Sequence, residues 1–448
     1  MPLPSNIIDR LQSLIQKSQA LGADAADAIF VQATSLSLSQ RLGNPEDLNR
    51  SEGYDLGLRV FFGKKQAVVS SSDMSDSALD ELVDRAVSMA KTVPEDPYCG
   101  LADPGQLARG DLPDLDDVDP YEPAAEKLID LAAAAENAAR AVPGVTNSEG
   151  AEAGWSRSEI ALVTSTGFAE TREGSRHSIG VSVLAGEGTA MERDYDYATA
   201  VFASDLPDPA DIGRSAGEKS VKRLNPKKVS TAQVPVIYDP RVSNSILGHL
   251  SSAINGSAVA RGTTFLKNHL DKPVFASGVT VVDDPHRPRG LRSKPFDGEG
   301  IATRRRNVIE GGRLTTWIMD CRSARQLGRE TTGHASRGTS SPPSPSVTNF
   351  YMAPGAETPE AMIAGVKDGI YITELIGFGI NGVTGDYSRG CSGFWIKDGE
   401  LAFPVSELTV AGNLKDMFMN LTPANDLAFK YGSNAPTIRI DGLTVAGK

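Results

Sequence analysis

Five histidines and three cysteines are the residues of this chain best suited to metal or nucleophilic chemistry, and their spacing limits what they can do. His177, His249, His269, His286 and His334 lie far apart, and no two stand four residues apart on a helix. A common hydrolytic zinc site needs two histidines on adjacent helical turns with a glutamate beside them, so this chain is expected to hold no metal. Cys99, Cys321 and Cys391 are odd in number and widely separated, which fits a reducing compartment and neither a disulfide framework nor a zinc knuckle. Gly390-Cys391-Ser392-Gly393 sets a thiol and a hydroxyl between glycines. It lacks the strand-to-helix elbow of a serine hydrolase, and Cys391 would need a histidine delivered from a distant part of the chain. A small buried position in a sheet is the plainer reading, and no catalytic residue is assigned.

Gly377-Phe378-Gly379-Ile380-Asn381-Gly382 has the glycine spacing of a dinucleotide loop. Such a loop must open a helix that points its N-terminus at the pyrophosphate. Here Val383 to Gly390 reads as a turn-rich connection between strands, so the glycines are read as letting backbones pass closely. His334, Asp386 and Arg389 lie in or near these glycine-rich connections and are the candidates for peptide or partner contacts, although turn or buried hydrogen-bonding roles suit them as well. His249 is read as a capping or partly exposed helix residue.

The elements that must position these residues follow from periodicity. Ile7, Ile8, Leu11, Leu14, Ile15 and Leu21 recur at helical spacing over about 5 to 21, behind Ser5 as a cap. Alternation from Ala28 to Leu38 and from Asp55 to Phe62 predicts strands, followed by a turn at Gly63 and a helix over 75 to 92. Residues 94 to 120 interleave Pro94, Pro97, Pro104, Pro113 and Pro120 with Asp103, Asp111, Asp114, Asp116, Asp117 and Asp119, which predicts a linker or long surface loop. The order then returns: a helix over 121 to 141, strands near Glu159 to Val163 and Gly180 to Leu184, and a helix near 209 to 224. This is read as a structural repeat whose halves share one sheet or pack face to face. From 230 to 448, strands and glycines predominate, with helices expected over 241 to 260 and 358 to 366. The fold class is therefore α+β: a repeated helix–strands–helix region, divided as 1–93 and 121–225 by the linker, then a large, mostly antiparallel β-rich domain.

A formal charge of -12 argues against a surface that gathers nucleic acid by releasing counterions. Runs such as Arg304-Arg305-Arg306 are read as solvated faces. No stretch reaches the roughly 18 apolar residues of a membrane span, and Met1 to Asn6 shows no basic and apolar leader, so a cytoplasmic setting is expected.

One long segment carries a resemblance. Ile376-Gly377-Phe378-Gly379-Ile380-Asn381-Gly382-Val383-Thr384-Gly385-Asp386-Tyr387-Ser388-Arg389-Gly390, continuing to Leu414, closely resembles the PmbA (TldE) branch of the TldD/PmbA family. Ser251 to Thr263 and Pro436 to Val445 match as well, so the resemblance spans essentially the whole chain. It implies a two-subunit, zinc-dependent peptidase acting on peptide-antibiotic precursors or an antitoxin, described in older terms as a modulator of DNA gyrase. In the TldD branch a His-Glu-x-x-x-His helix and a late cysteine hold the zinc. Here Ser251, Ser252 and Gly256 align with the histidine, glutamate and second histidine, and the stretch before Pro436 has no cysteine. The resemblance therefore implies a non-metal-binding subunit, inactive alone, where a homodimer is an option, with zinc in a TldD-like partner joined as a heterodimer or higher assembly and a peptide as substrate. The alternative is a non-enzymatic adaptor in gyrase or toxin–antitoxin control.

A broad-specificity protease is expected to make its first cuts within 94 to 120, where prolines and like charges oppose regular structure. First cuts within 230 to 448 would move the boundaries.

Overall fold

The computed structural model describes residues 4–447, so Met1 to Leu3 of the segment scanned for a leader lie outside the described residues. The predicted helix–strands–helix order begins with α1 (Ile7–Ala20), β1 (Ala25–Arg41), β2 (Asn44–Phe62), β3 (Lys65–Ser71) and α2 (Asp76–Thr92). It recurs as α3 (Ala125–Arg140), β4 (Val145–Thr164), β5 (Ala169–Ala185), β6 (Glu192–Ala200) and α4 (Pro209–Lys222). The halves share one antiparallel sheet, β3-β2-β1-β4-β5-β6, joined along β1 and β4 from Asp27↔Thr164 to Gln40↔Ala151.

Period two divides the work of β1 between its faces. Ala26, Ala28 and Phe30 are buried with Leu11 of α1 and Leu82 of α2, whereas Leu36 and Leu38 are buried with Leu128 of α3 and Ile212 of α4. All four helices thus lie on one face. Gly213 allows α4 to approach α3, since a Cβ there would stand 2.1 Å from the Ala135 carbonyl oxygen. On the opposite face Ile29 and Leu162 pack with Leu107, Phe168, Phe296 and Ile301, which joins the sheet to the C-terminal region.

The C-terminal region opens with β7 (Ala232–Tyr238), α5 (Pro240–Ala253) and α6 (Gly256–Ala260). It continues through β8 (Val281–Asp283), β9 (Arg306–Glu310), β10 (Arg313–Leu314), α7 (Cys321–Gln326), the short pair β11 (Ala335–Ser336) and β12 (Ser344–Pro345), and β13 (Phe350–Met352). Then come α8 (Pro359–Ala364), β14 (Asp368–Ile380), β15 (Asp386–Lys397) and β16 (Glu400–Asn413). The last elements are α9 (Leu414–Met419), β17 (Leu421–Pro423), β18 (Ser433–Asn434) and β19 (Ile438–Ala446). Strand β19 pairs with both β7 and β16, closing β7, β14, β15, β16 and β19 into a barrel. A second sheet, β10-β9-β8-β13-β18, lies in the same region and contributes to the same core, where Phe275 stacks on Phe418 at 4.3 Å. Only the β7–β14 and β13–β18 pairings are parallel among these ladders. The structure is therefore the mixed fold with a β-rich C-terminal region that periodicity predicts.

The helix expected over 241 to 260 is corrected to two. The first ends at Ala253 with Ile254 as its C-cap, and Asn255 caps the second, its side chain accepting from the N–H groups of Ser257 and Ala258. Residues 94–120 contain no helix or strand, but Cys99, Ala102, Leu107 and Leu115 are buried and Asp96 pairs with Arg322 at 2.5 Å. Exposed residues alternate with these anchors: Pro94, Glu95 and Pro97, then Asp103 to Gly105, Arg109 to Asp111, Pro113, Asp114, Asp116 and Pro120.

Where sheet meets C-terminal region, a charge cluster is buried. Asp27 on β1 accepts from Arg59, at the neighbouring position of β2, on both oxygens, and Arg337 donates to Oδ1 at 2.6 Å. Burial pushes the Asp27 carboxyl up, but Arg337 and Arg59 together outweigh it and hold the group below its ordinary 3.8. Asp27→Asn should therefore cost about 3 kcal/mol or more, because it leaves two buried guanidiniums without their counter-charge. Denaturant unfolding at pH 7 checks this. A depressed pKa contributes stability above the unfolded value, so the difference between wild type and variant should shrink as pH falls through that range.

Candidate functional site

Helix α5 starts where Asp239 accepts from the Arg241 N–H and Pro240 takes the first helical position. Its apolar stripe, Ile246, Leu247, Leu250 and Ala253, is buried against the barrel. His249 is half-buried beside this stripe, with its ring edge-on to Tyr387 of β15 at 5.8 Å. Burial, reinforced by the charge of Arg389, pushes His249 down to about 4, so its imidazole is neutral at pH 7.

The turn after His249 is where the aligned metal positions fall. Ser251 and Ser252 both donate their hydroxyls to the Gly248 carbonyl, at 2.9 and 3.0 Å, and so bond back onto their own helix. Gly256 lies beyond the break at Asn255 and donates its N–H to Ile318 O at 2.8 Å. A Cβ at Gly256 would meet Ser323 Oγ at 2.7 Å, Met319 Cγ at 2.8 Å and Ile318 O at 2.9 Å. No side chain fits there, least of all an imidazole. Among the described residues no group of three histidine, cysteine, aspartate or glutamate side chains is placed to hold a metal ion.

The contact candidates separate. His334 is buried at 2% exposure, bonded to Asp283 at 3.1 Å and to Thr332 at 2.9 Å, while Thr348 also donates to Asp283. It thus lies inside the C-terminal region with both ring nitrogens hydrogen-bonded within the chain. Asp386 is exposed where β14 turns into β15, accepting from Thr384 Oγ1 at 2.6 Å and Asn413 Nδ2 at 3.1 Å. Those two bonds hold its carboxyl below the usual range. Arg389 is half-buried three residues further on, facing His249 rather than Asp386. Between the strands, Ile376, Phe378 and Val383 project from the hairpin tip, with Phe378 96% exposed. Gly379 is obligatory at the neck of this hairpin, because a Cβ would stand 2.1 Å from Ser388 O.

Neither residue of the Cys391-Ser392 pair is poised as a nucleophile. Burial pushes the Cys391 thiol up to about 12, so it stays protonated at neutral pH. Ser392 donates to Glu374 at 3.0 Å and accepts from Arg223 at 2.9 Å, with Arg223 also paired to Glu374. Arg223 ends α4, so these contacts tie the N-terminal sheet to the barrel, as does Arg241 with Asp194 of β6 at 2.8 Å. Sequence reading misses these links, since their partners lie 47 to 169 residues apart.

Comparison with known proteins agrees over the whole chain. Models of the PmbA/TldA metallopeptidase match in three parts: domain 1 at residues 26–90, the central domain at 118–224 and the C-terminal domain at 231–447. The chain belongs to the PmbA/TldD family. It is 36% identical to the metalloprotease PmbA of Escherichia coli O157:H7 over 428 residues, covering 95% of this chain and 93% of that one. A PmbA homologue of Haemophilus influenzae is 35% identical over 97% of this chain and 94% of its own. Among solved structures, a candidate modulator of DNA gyrase from Bacteroides thetaiotaomicron superposes with a TM-score of 0.91 at 26% identity, covering all of both chains. TldE from Thermococcus kodakarensis, at 21% identity, shares the fold with a TM-score of 0.87 over 97% of this chain and 99% of its own.

Within the PmbA/TldD framework, then, this chain does not fit zinc at the helix where the resemblance would put it. Installing S251H, S252E and G256H together should not create a zinc site. Overpacking at Gly256 should instead cost about 1–3 kcal/mol. Elemental analysis and thermal melting of the triple variant check both points. About one zinc per chain in the unmodified protein, lost on H249A or H334A, would overturn the reading.

Proposed function

We propose that this chain is the subunit without metal in a two-chain, zinc-dependent peptidase, with the zinc in a TldD-like partner and short or unfolded peptides as substrate. The observation that carries this is the packing at Gly256: this member of a metallopeptidase family has no room for a ligand at an aligned metal position. Zinc in the partner would supply activated water. The part left to this chain is to bind the partner, hold peptide and exclude water from a shared cavity.

Two surfaces support that role. The hairpin tip of Ile376, Phe378 and Val383 is an apolar contact carried on a glycine-hinged arm. For the peptide, a sheet edge is needed. The outer edge of β6 is partly closed, since Asp194 and Asp196 accept from the N–H groups of Tyr195 and Tyr197 at 2.7 and 2.9 Å. Strand β3 covers β2 only from Leu56 to Phe62, which leaves Asn44 to Tyr54 solvent-exposed, with no strand on the outer side. An extended peptide adds most readily there.

The chain alone should cleave no peptide, and mixing it with a TldD-like subunit should produce hydrolysis that a substitution of the partner's motif glutamate abolishes. Phe378→Asp should weaken copurification with that partner while leaving the melting temperature of the isolated chain unchanged. Cleavage by this chain alone, persisting in chelator and lost in C391S, would sink the subunit reading.

A further inference from the structure

A small polar cavity of about 110 Å³ lies between strands β4 and β5 and the loop Gly290 to Ser293. Its floor is a patch of sheet fixed by register: Ser156 pairs with Arg176, Ser158 with Gly174 and Ile160 with Arg172. Alternation puts all six positions on one face, the face away from the helices. In the middle of the floor, Gly174 leaves a gap. A Cβ there would find only Asp117 O, at 3.9 Å, so no packing contact demands the glycine and its absent side chain is the cavity.

The lining donors are underused. Among the described residues, neither the Ser156 nor the Ser158 hydroxyl has a hydrogen-bond partner, and neither does the Arg172 guanidinium. Arg176 donates to Leu291 O at 2.6 Å, which anchors it over the cavity with further N–H groups to spare. Charge is unbalanced in the same sense. Burial and Arg292 hold Arg176 below its usual range, burial does the same to Arg172, and Lys294 feels the charge of Arg172. Of the nearby acids, Glu173 is paired to Arg157 at 2.5 Å, and Asp117, which also lines the cavity, is pushed up by its own burial and offsets part of the charge of Arg172, leaving Arg176 as the uncompensated cation. Donors converge from the floor and from two sides on a space with room for roughly three waters at about 30 Å³ each, enough for a phosphate-sized group and too small for a nucleotide.

We propose that this cavity is a binding site for a tetrahedral oxyanion, either free phosphate or a phosphoryl group carried on a larger molecule. Arg172 and Arg176 supply the counter-charge, Ser156 and Ser158 donate from below, and Gly174 provides the space. The site is independent of the subunit reading, because none of its residues belongs to the α5–α6 region, the hairpin or the β2 edge.

The test uses the purified full chain, with calorimetry and thermal melting in inorganic phosphate, O-phosphoserine, acetate and chloride at matched ionic strength. Phosphate or phosphoserine should bind saturably and raise the melting temperature. Tighter binding of phosphoserine identifies a carried group, and tighter binding of phosphate the free ion. R172Q should weaken binding about tenfold or more, by loss of charge-assisted hydrogen bonds. G174V should abolish it by filling the space while keeping both arginines, and S156A/S158A should weaken it without touching charge. Melting in chloride shows that each variant is folded. No saturable binding, equal effects of acetate or chloride, or binding unchanged in every folded variant would overturn the proposal.

Discussion

The contact of Asp27 with Arg59 and Arg337 fixes the relation between the two regions of this molecule. Arg337 and Asp27 are essentially unexposed, and Arg59 is only 3% exposed, so the three charges are solvated by one another. Nearby, Glu299 is pushed up to about 7, chiefly by burial and then by the charge of Asp297. A cluster of this kind adds little net stability over an apolar one. Its value lies in register: guanidinium and carboxylate must meet with defined geometry, whereas the surrounding apolar contacts of Ile29, Leu162 and Phe296 tolerate sliding. The close pass of Gly57 against Thr339, where a Cβ would stand 2.1 Å from the carbonyl oxygen, belongs to the same docking.

That docking explains the asymmetry of the long sheet. One face is covered by four helices, and near β1 the other is covered by the C-terminal region and by residues 94–120. Toward β6 the second face opens, and Tyr195 and Tyr197 line clefts there. The ion pairs of Arg223 with Glu374 and of Arg241 with Asp194 hold this far end to the barrel, so the regions meet at both ends of the sheet with cavities between.

The sequence carries the local part of this clearly. Apolar spacing in α1, α2 and α4, the alternation of β1, and the Asp239-Pro240 start of α5 are each readable within one or two turns of chain, because propensity and burial agree there. The break at Asn255 was equally local, yet helical periodicity in Ile246, Leu250 and Ala253 masks a cap that only the N–H groups of Ser257 and Ala258 reveal. His334 is harder still: its glycine-rich neighbours point to an exposed loop, and its burial comes from Asp283, 51 residues away. The arginine cavity is spread over three chain segments, so no motif could announce it. What sequence does give at the α5–α6 site is residue type, and type alone shows that Ser251, Ser252 and Gly256 cannot ligate zinc.

The structure adds why those positions are not merely vacant. Ser251 and Ser252 spend their hydroxyls on the Gly248 carbonyl, and Gly256 brings the start of α6 against Ile318 and the α7 residue Ser323. Asn255 completes the arrangement by donating to Pro345 O at 3.0 Å while it caps α6. The turn that would present metal ligands is thereby used to pack α6 against α7, and α7 begins at Cys321, whose N–H is held by Glu299 at 2.8 Å. Glu299 also feels the charge of Arg59, so the packed turn leads through α7 to the buried cluster that docks the N-terminal sheet. A side chain large enough to bind metal at Gly256 would push on α7 and so on the junction between regions. Building a metal site at this turn would require repacking that junction as well as replacing three residues.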